Sequence, residues 1–322
     1  MERCQDDAAE EASREWGILM ELLVLAGGFL AAAVRVATPL LFAATGETLA
    51  ERSGVINLGT EGIMLAGALA AALGASAWGP WAGLAAAMLA GMCLAAVFAL
   101  IAIGARADQI ITGTAITLAA VGLTGTIYRK AYGDAGVGLS LPTLPDVPVP
   151  GLSTIPVIGP AFFDQPAPTY LAVAVLPLLW WVLFRTRLGL QLRATGEAAA
   201  MARAAGVRTG LMRAGATIIG GGFAGLGGAT LVLAQVGTFA ERMTAGRGYL
   251  AIAIVVLGRW HPAGVAAAAL LFGGATALQF LFQALGTRAP YELFLMLPYV
   301  LTLLALAGAV GRVRAPGDLG RS

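Results

Sequence analysis

Glu51, Arg52 and Glu61 are three ionisable side chains that lie close together in an otherwise apolar part of the sequence. The stretch from Glu51 to Ala68 reads ERSGVINLGTEGIMLAGA. Such groups can bind a polar solute or carry a proton, but a charge near the centre of a bilayer costs about 3 kcal/mol. The glycines permit non-helical backbone, which at membrane depth is tolerated only inside protein or beside water. We therefore expect a sheltered, interrupted segment; the alternative is a solvated cytoplasmic turn in which Glu61 caps the next helix.

A second interrupted stretch lies in the other half of the chain, from Gly237 to Trp260, and reads GTFAERMTAGRGYLAIAIVVLGRW. As in the first stretch, a Glu-Arg pair precedes glycines and a short apolar run. Gly-interrupted segments at corresponding places in two halves are typical of transporters whose binding site lies between structural repeats. The pattern favours inverted repeats around a polar passage, and the alternative is a chance similarity between the two stretches.

Hydroxyl and amide side chains extend this candidate passage. Thr114 and Thr117 are three positions apart in the predicted helix 111–128 and so lie near one face. They either face the passage or hydrogen-bond to their own backbone, as threonines in membrane helices commonly do. We expect Asn57 and Glu61 to be reachable from water. The side chains predicted to line the passage are Asn57, Thr60, Glu61, Thr114, Thr117 and Gln279.

The sequence offers little for chemical catalysis. Its single lysine, Lys130, is not preceded by a glycine-rich loop, so the phosphate-binding motif of P-loop ATPases is missing. Its single histidine, His261, has no second histidine with which to build a zinc site. Cys4 and Cys93 stand alone, and a net charge of +2 without a basic run argues against a nucleic-acid partner. We predict no catalytic residues, no metal and no cofactor.

The elements that must position these side chains are membrane-spanning helices. Hydrophobic residues make up 58% of the 322 positions and charged residues 12%, and the mean hydropathy is +0.82. Continuous apolar runs of about 20 residues recur without the alternation of barrel strands. We predict an all-α, polytopic transmembrane helical bundle of about 8–10 spans with interrupted helices and inverted repeats. The predicted spans are 16–35, 80–103, 111–128, 168–185, 212–236, 262–284 and 291–311, with shorter pieces near 38–50, 58–76 and 248–258.

The arginines orient this bundle. Residues 185–213 contain six arginines and one acid, which places that region in the cytoplasm. Residues 131–184 contain no lysine or arginine, and the loop within them carries eight prolines between Pro142 and Pro168, which forbid a helix and favour extended structure outside. Both termini are expected in the cytoplasm. The predicted organisation is a cytoplasmic N-terminal tail (1–15), a membrane domain (16–311) with an extracytoplasmic Pro-rich loop (129–167) and a cytoplasmic loop (186–212), and a cytoplasmic C-terminal tail (312–322).

Small residues recur at four-residue spacing, as in Gly83, Ala87 and Gly91, or Gly221 and Gly225. Lipid supplies no hydrophobic drive for association between helices, so close backbone contact must hold them together. We therefore expect the helices that carry these residues to pack closely.

Several longer strings resemble one family. They are GETLAERSGVINLGTEGIMLAGALAA, RATGEAAAMARAAGV, GGFAGLGGA and GYLAIAIVVLGRWHPAGVAAAALLFGG. The chain is similar, from about residue 38 to 310, to the inner-membrane permease subunits of ABC importers in the branched-chain amino acid and simple-sugar superfamily. It looks most like the branch that imports nucleosides such as guanosine. The resemblance implies four partners in the membrane and around it: ABC ATPase subunits, a second related permease, an extracytoplasmic substrate-binding protein and membrane lipid.

The resemblance also implies that Arg193 to Gly206 is the coupling helix that docks on the ATPase. Its alanines would offer a small-residue surface to a partner, with arginines for acidic groups at the rim. The spacing from Glu197 to Gly206 departs from the Glu-Ala-Ala motif of other importer classes, and Thr117 stands where related permeases place an Asn. The alternative is a loop whose arginines only set topology. The candidate coupling residues are Arg193, Glu197, Ala198, Ala202, Arg203 and Gly206, and the alanine surface also includes Ala199 and Ala205.

The leading hypothesis is therefore ATP-driven uptake of a small polar solute, a nucleoside first, by a multi-pass inner-membrane permease whose ATPase is a separate subunit. The alternatives within the superfamily are a simple-sugar or a branched-chain amino acid permease. A stand-alone secondary transporter with Glu61 as the proton carrier is the alternative from another class.

Overall fold

The computed structural model describes residues 2–133, 141–284 and 315–321, together with the single positions 296, 300 and 303. This part of the chain is helical apart from turns and one two-stranded ribbon. Its elements are α1 (Glu2–Arg52), α2 (Thr60–Trp78), α3 (Pro80–Ala99, continued by a π-helical turn Leu100–Gly104), α4 (Gln109–Tyr132), β1 (Asp146–Pro148), α5 (Ile158–Phe162), β2 (Asp164–Pro166), α6 (Ala167–Arg185), α7 (Arg187–Glu197), α8 (Ala199–Ala204), α9 (Thr209–Thr230, continued by a π-helical turn Leu231–Val236), α10 (Arg247–Leu257) and α11 (Pro262–Ala284).

Seven helical segments of the described residues are long and apolar enough to cross a membrane, by length and composition. The predicted polytopic helical bundle is confirmed, while the predicted span 291–311 lies outside the described ranges apart from three single positions. The helix α10 is apolar but too short to span. The seven segments are Leu23–Arg52, Thr60–Trp78, Pro80–Gly104, Gln109–Tyr132, Ala167–Arg185, Thr209–Val236 and Pro262–Gln283.

The first helix is longer than the sequence predicts. The predicted pieces 16–35 and 38–50 are one continuous helix, which also takes in the predicted tail, so the expectation of a break is wrong. Pro39 lies inside α1 and has no N–H to donate to the carbonyl of Arg35. The side-chain amide of Gln235 donates to that carbonyl at 2.7 Å and so satisfies the group that the proline leaves free.

Close packing around α9 follows the small residues singled out in the sequence. A Cβ atom on Gly91 would overlap the carbonyl of Gly221, and one on Gly225 would overlap the carbonyl of Ala87. The backbones of α3 and α9 therefore touch along this stripe, as predicted. The other side of α9 packs on α2 and α1, so α9 is the most buried of the seven spans.

The Pro-rich loop is partly extended, as expected, because β1 and β2 pair antiparallel within it. It also contains the helical turn α5, so the prediction that no helix forms there is wrong. Pro160 is tolerated because it lies in the first turn, where its missing N–H has no intrahelical partner. The loop is tied to α1 by an ion pair of 3.3 Å between Arg35 and Asp146.

Candidate functional site

The first interrupted segment is the non-helical stretch 53–59 between α1 and α2. It turns at Gly54, whose φ of 94° is a left-handed conformation that glycine adopts without strain. Ser53 and Asn57 are buried, and the Glu51 side chain beside them is only 1% exposed. The sheltered segment is therefore present, and the alternative of a solvated turn is wrong.

Glu47 organises this segment, although the sequence reasoning did not single it out. Its carboxylate accepts hydrogen bonds from the backbone N–H of Asn57 and from the hydroxyl of Thr60, both at 2.9 Å. Asn57 in turn accepts the N–H of Gly59 at 3.0 Å. A signal was available, because Glu47 lies one helical turn before Glu51 in an apolar span and so calls for a partner of its own.

Glu61 joins the two interrupted segments. Its Oε1 accepts from the Thr244 hydroxyl at 2.6 Å and from the N–H of Gly246 at 2.9 Å, while its Oε2 accepts from the N–H of Gly248 at 2.7 Å. These donors surround the beginning of α10, where unpaired N–H groups and the helix dipole favour an anion. A Cβ on Gly248 would overlap the backbone of Glu61, so only glycine permits this contact.

The other end of α10 is held by the end of α1. The indole N–H of Trp260 donates to the Glu51 carboxylate, and Arg52 Nε donates to the Trp260 carbonyl at 2.9 Å. The first segment and the adjoining ends of α1 and α2 therefore contact α10 at both ends. We call this arrangement, formed by Glu51, Arg52 and Glu61 around 244–260, the α10 clamp.

Backbone strain concentrates next to the clamp. Six non-glycine residues of the described chain have positive φ, and four of these flank α10. L-residues adopt this conformation at a cost of about 1 kcal/mol or more each, so contacts elsewhere must hold them there. The four are Arg242 (58°), Ala245 (46°), Arg259 (54°) and Trp260 (53°).

Asn57, Thr60 and Glu61 lie together, as the sequence predicts, but they are not open to water. Glu61 is 8% exposed and Asn57 is 2% exposed. The expectation that both are reachable from water is wrong for this structure, because protein donors occupy their oxygens. Their role along a passage stays a prediction.

The threonines of α4 divide into two kinds. Thr114 is exposed and its hydroxyl donates to the carbonyls of Ile110 and Ile111 within the helix. The Thr117 hydroxyl instead donates across to the carbonyl of Leu58 in the first segment, at 3.3 Å. Of these two candidates, the structure brings only Thr117 to the site.

Gln279 is buried at a different level of the bundle. The helix α11 begins at Pro262, next to Trp260 and the end of α1. Gln279 lies about 25 Å further along α11 at a rise of 1.5 Å per residue. The structure therefore does not bring Gln279 to Asn57 and Glu61.

The loop predicted to be cytoplasmic forms α7 and α8, and Gly206 follows α8 with a φ of 84°. The prediction that the alanines face a partner is wrong at two positions, because Ala199 and Ala202 are buried. Ala202 is only 5% exposed. Residues three apart on a short helix share one side, and that side of α8 packs inward next to α9. The outward side carries Met201, which is 77% exposed, and Arg203.

Arg193 also points inward. Its guanidinium lies 5.0 Å from the centre of the Phe184 ring, and Arg52 lies over the same ring at 5.7 Å. Both distances are within the range of cation–π attraction. Phe184 therefore links the cytoplasmic loop to the end of α1.

Residues 315–321 pack against the end of α7 and the first interrupted segment, and we call them the C-terminal clasp. Asp318 accepts the N–H of Ala199 at 2.6 Å and donates its own N–H to the carbonyl of Gly196 at 2.8 Å. Gly320 donates to the carbonyl of Gly54 at 3.0 Å. The clasp thus bridges the cytoplasmic loop and the first interrupted segment.

Comparison with known proteins identifies the family. The profile of the family described as "Branched-chain amino acid transport system / permease component" matches residues 29–306. The chain belongs to this permease family. The resemblance found in the sequence is confirmed, and the seven apolar helices are those of a multi-pass membrane protein.

Several relatives of the permease are named as transport subunits. It is 37% identical over 309 residues to the guanosine ABC transporter permease protein NupQ of Bacillus subtilis, covering 92% of this chain and 96% of the relative. It is 35% identical to the nucleoside ABC transporter permease protein NupC of Lactococcus lactis, covering 87% and 91%. It is also 38% identical to the putative glucose ABC transporter permease protein TsgC13 of Haloferax volcanii, covering 90% and 94%. No solved structure gave a significant match.

Proposed function

We propose that the permease is the membrane subunit of an ABC importer that carries nucleosides across the inner membrane. The observation that carries this proposal is the similarity, over nearly the whole chain, to permeases named for guanosine and nucleosides. A sugar is the second candidate, because a relative named for glucose is equally similar. Both candidates are neutral, hydroxyl-rich solutes that need hydrogen-bonding groups along their path.

The α10 clamp supports a role as the moving part of the passage. The beginning of α10 is held by one carboxylate, that of Glu61, and the residues that flank α10 have strained backbone. Opening the clamp would expose Glu61 together with Asn57 and Thr60, so these three side chains would line the passage only in that state. Thr117, bonded to Leu58, would border the same path.

The cytoplasmic loop supports docking of a separate ATPase. The exposed Met201 of α8 forms the contact in this proposal, in place of Ala202. Movement of α8 would reach the first segment through the Phe184 stack and through the C-terminal clasp. A second related permease and an extracytoplasmic substrate-binding protein complete the importer.

The orientation follows from the arginine-rich loop, which belongs in the cytoplasm. The C-terminal clasp contacts this loop and lies on the same side. Because α1 runs unbroken through the span that ends at Arg52, its beginning would lie across the membrane from the loop. In this proposal the two termini lie on opposite sides of the membrane, in contrast to the prediction that both are cytoplasmic.

Reconstitution tests the proposal. The permease, its ATPase and its binding protein in liposomes should take up guanosine only when ATP is present, and the permease alone should hydrolyse none. Uptake of glucose but not guanosine would favour the second candidate. Uptake by the permease alone under a proton gradient would overturn the proposal in favour of a secondary transporter.

Coupling is tested at α8. Met201→Glu should abolish uptake while leaving the permease inserted and folded, because a charge on the exposed contact disrupts docking. The matched control is Met20→Glu, since Met20 is also exposed but lies at the far end of α1. Normal uptake by Met201→Glu would show that α8 does not contact the ATPase.

A further inference from the structure

A cavity of about 470 Å³ lies between the end of α3 and the loop that leads from α8 into α9. Four arginines line it, and no acidic residue is among the described residues around it. The buried side chains of Gln109 and Thr209 complete its polar lining. We call it the arginine cavity, and its arginines are Arg106, Arg203, Arg208 and Arg213.

Only part of the positive charge of the cavity is matched by a neighbouring carboxylate, because Asp318 attracts Arg213. The ion pairs found in the described part of the chain do not include Arg106, Arg203 or Arg208. Arg213 donates to two neutral groups, the carbonyls of Ser53 at 3.3 Å and Arg321 at 2.8 Å. Like charges that share one cavity repel each other, so an anion between them would stabilise the arrangement.

The cavity lies at the end of the membrane-spanning helices. One wall is the π-helical turn that ends the span Pro80–Gly104, and the other is the beginning of the span Thr209–Val236. Ile103 and Leu211 line it, and the exposed side chains of Leu100 and Ile111 lie two or three positions along the chain from lining residues. The arginines therefore lie where a lipid headgroup lies, next to surfaces suited to acyl chains.

We propose that the arginine cavity binds the phosphate group of an anionic phospholipid. Guanidinium groups recognise phosphate through paired hydrogen bonds, and basic pockets between helices on the cytoplasmic side bind such headgroups. The proposal is independent of the transported solute. Because Arg203 lies in the last turn of α8 and Arg213 donates to the C-terminal clasp, the bound headgroup would brace the cytoplasmic loop against the span ends.

Lipid titration of the purified full-length permease in neutral detergent tests this. Phosphatidylglycerol should bind at least tenfold more tightly than phosphatidylcholine, as measured by native mass spectrometry. The double variant Arg106→Gln/Arg208→Gln should lose this preference. The control Arg185→Gln/Arg187→Gln removes the same charge from the same side, outside the cavity, and should keep it. Equal loss in the control, or no preference in the unmodified protein, would overturn the proposal.

Two further arms complete the test. Inorganic phosphate at millimolar concentration should compete poorly, because it lacks the acyl chains; if it displaces phosphatidylglycerol fully, the site is one for free phosphate and the lipid assignment fails. Arg208 is exposed, so the single variant Arg208→Gln gives a folded protein even if the double variant does not fold. It should weaken phosphatidylglycerol binding at least threefold, and unchanged binding would contradict the proposal.

Discussion

The two interrupted segments divide their hydrogen-bond chemistry between them. The first, with the helix ends beside it, supplies carboxylate acceptors at Glu51 and Glu61, and the second supplies donors at its hydroxyl, its backbone and its indole. The exception is Arg52, which donates to the Trp260 carbonyl. The first also turns with a single relaxed glycine, Gly54, whereas the second needs strained residues on both sides of α10. The two stretches look alike in sequence but are complementary in structure. We infer from this difference that the first segment is a frame and that the second segment is the part it holds.

The largest effect is expected where the two segments touch. Gly248→Ala places a Cβ against the backbone of Glu61. Neither backbone can move away easily. We expect a loss of about 3 kcal/mol in the free energy of unfolding, measured as a lower melting temperature in detergent. Gly274→Ala is the control, because its added Cβ meets nothing within 4 Å. A stable Gly248→Ala protein would show that the contact is loose.

The next largest effect is expected at Glu61, the acceptor at the beginning of α2. Glu61→Gln replaces one carboxylate oxygen by an NH₂ group that faces a donor of α10, which should cost about 2 kcal/mol. Uptake should fall at least tenfold while membrane insertion is retained, since removing a charge makes insertion easier. The comparison of transport rate with the amount of inserted protein checks this. Normal uptake would exclude Glu61 from the working part of the passage.

The donor at the far end of α10 should matter less. Trp260→Phe removes the indole N–H and leaves the buried Glu51 carboxylate without that partner, at a cost of about 1–2 kcal/mol. Trp81→Phe provides the control, because Trp81 is exposed. Limited proteolysis should cut the 237–260 segment faster in Trp260→Phe, and equal rates in both variants would argue that α10 is held at its beginning alone.

The smallest effect concerns the contact between α4 and the first segment. The Thr117 hydrogen bond is long at 3.3 Å, so Thr117→Val should cost only about 0.5 kcal/mol. Thr114→Val, which breaks only an intrahelical bond, should change neither stability nor uptake. Chemical denaturation compares the free energies of unfolding of the two variants. A larger loss for Thr114→Val would mean that the exposed face of α4, and not the face toward the first segment, makes the more important contact.

Sequence reasoning reached the elements of this fold but not all of their boundaries. Long apolar runs identify spans because composition alone defines them, as for the helix that became α3. The predicted break between 35 and 38 was wrong, and the donor that lets the helix continue past Pro39, Gln235, lies some 200 positions away. No local sequence pattern predicts a partner that lies so far away along the chain.

The candidate site was predicted in the same uneven way. The glycine-rich stretches pointed to Glu61 and to the beginning of α10, since interrupted helices leave a recognisable composition. Gln279 was grouped with them because residue type alone does not specify the level of a side chain along a helix. Glu47 was missed although its position in an apolar span calls for a partner; the sequence does not show that this partner is the backbone N–H of Asn57 in the turn that follows. Inverted repeats stay a prediction.

The C-terminal clasp has a practical consequence for handling the protein. Its last described residues use their backbone groups, with Gly320 bound to Gly54 and the Arg321 carbonyl bound to Arg213. A purification tag or fluorescent fusion joined directly at this end would pull on the same backbone that braces the cytoplasmic loop. Fusions should therefore be separated from Arg321 by a long flexible linker rich in glycine and serine.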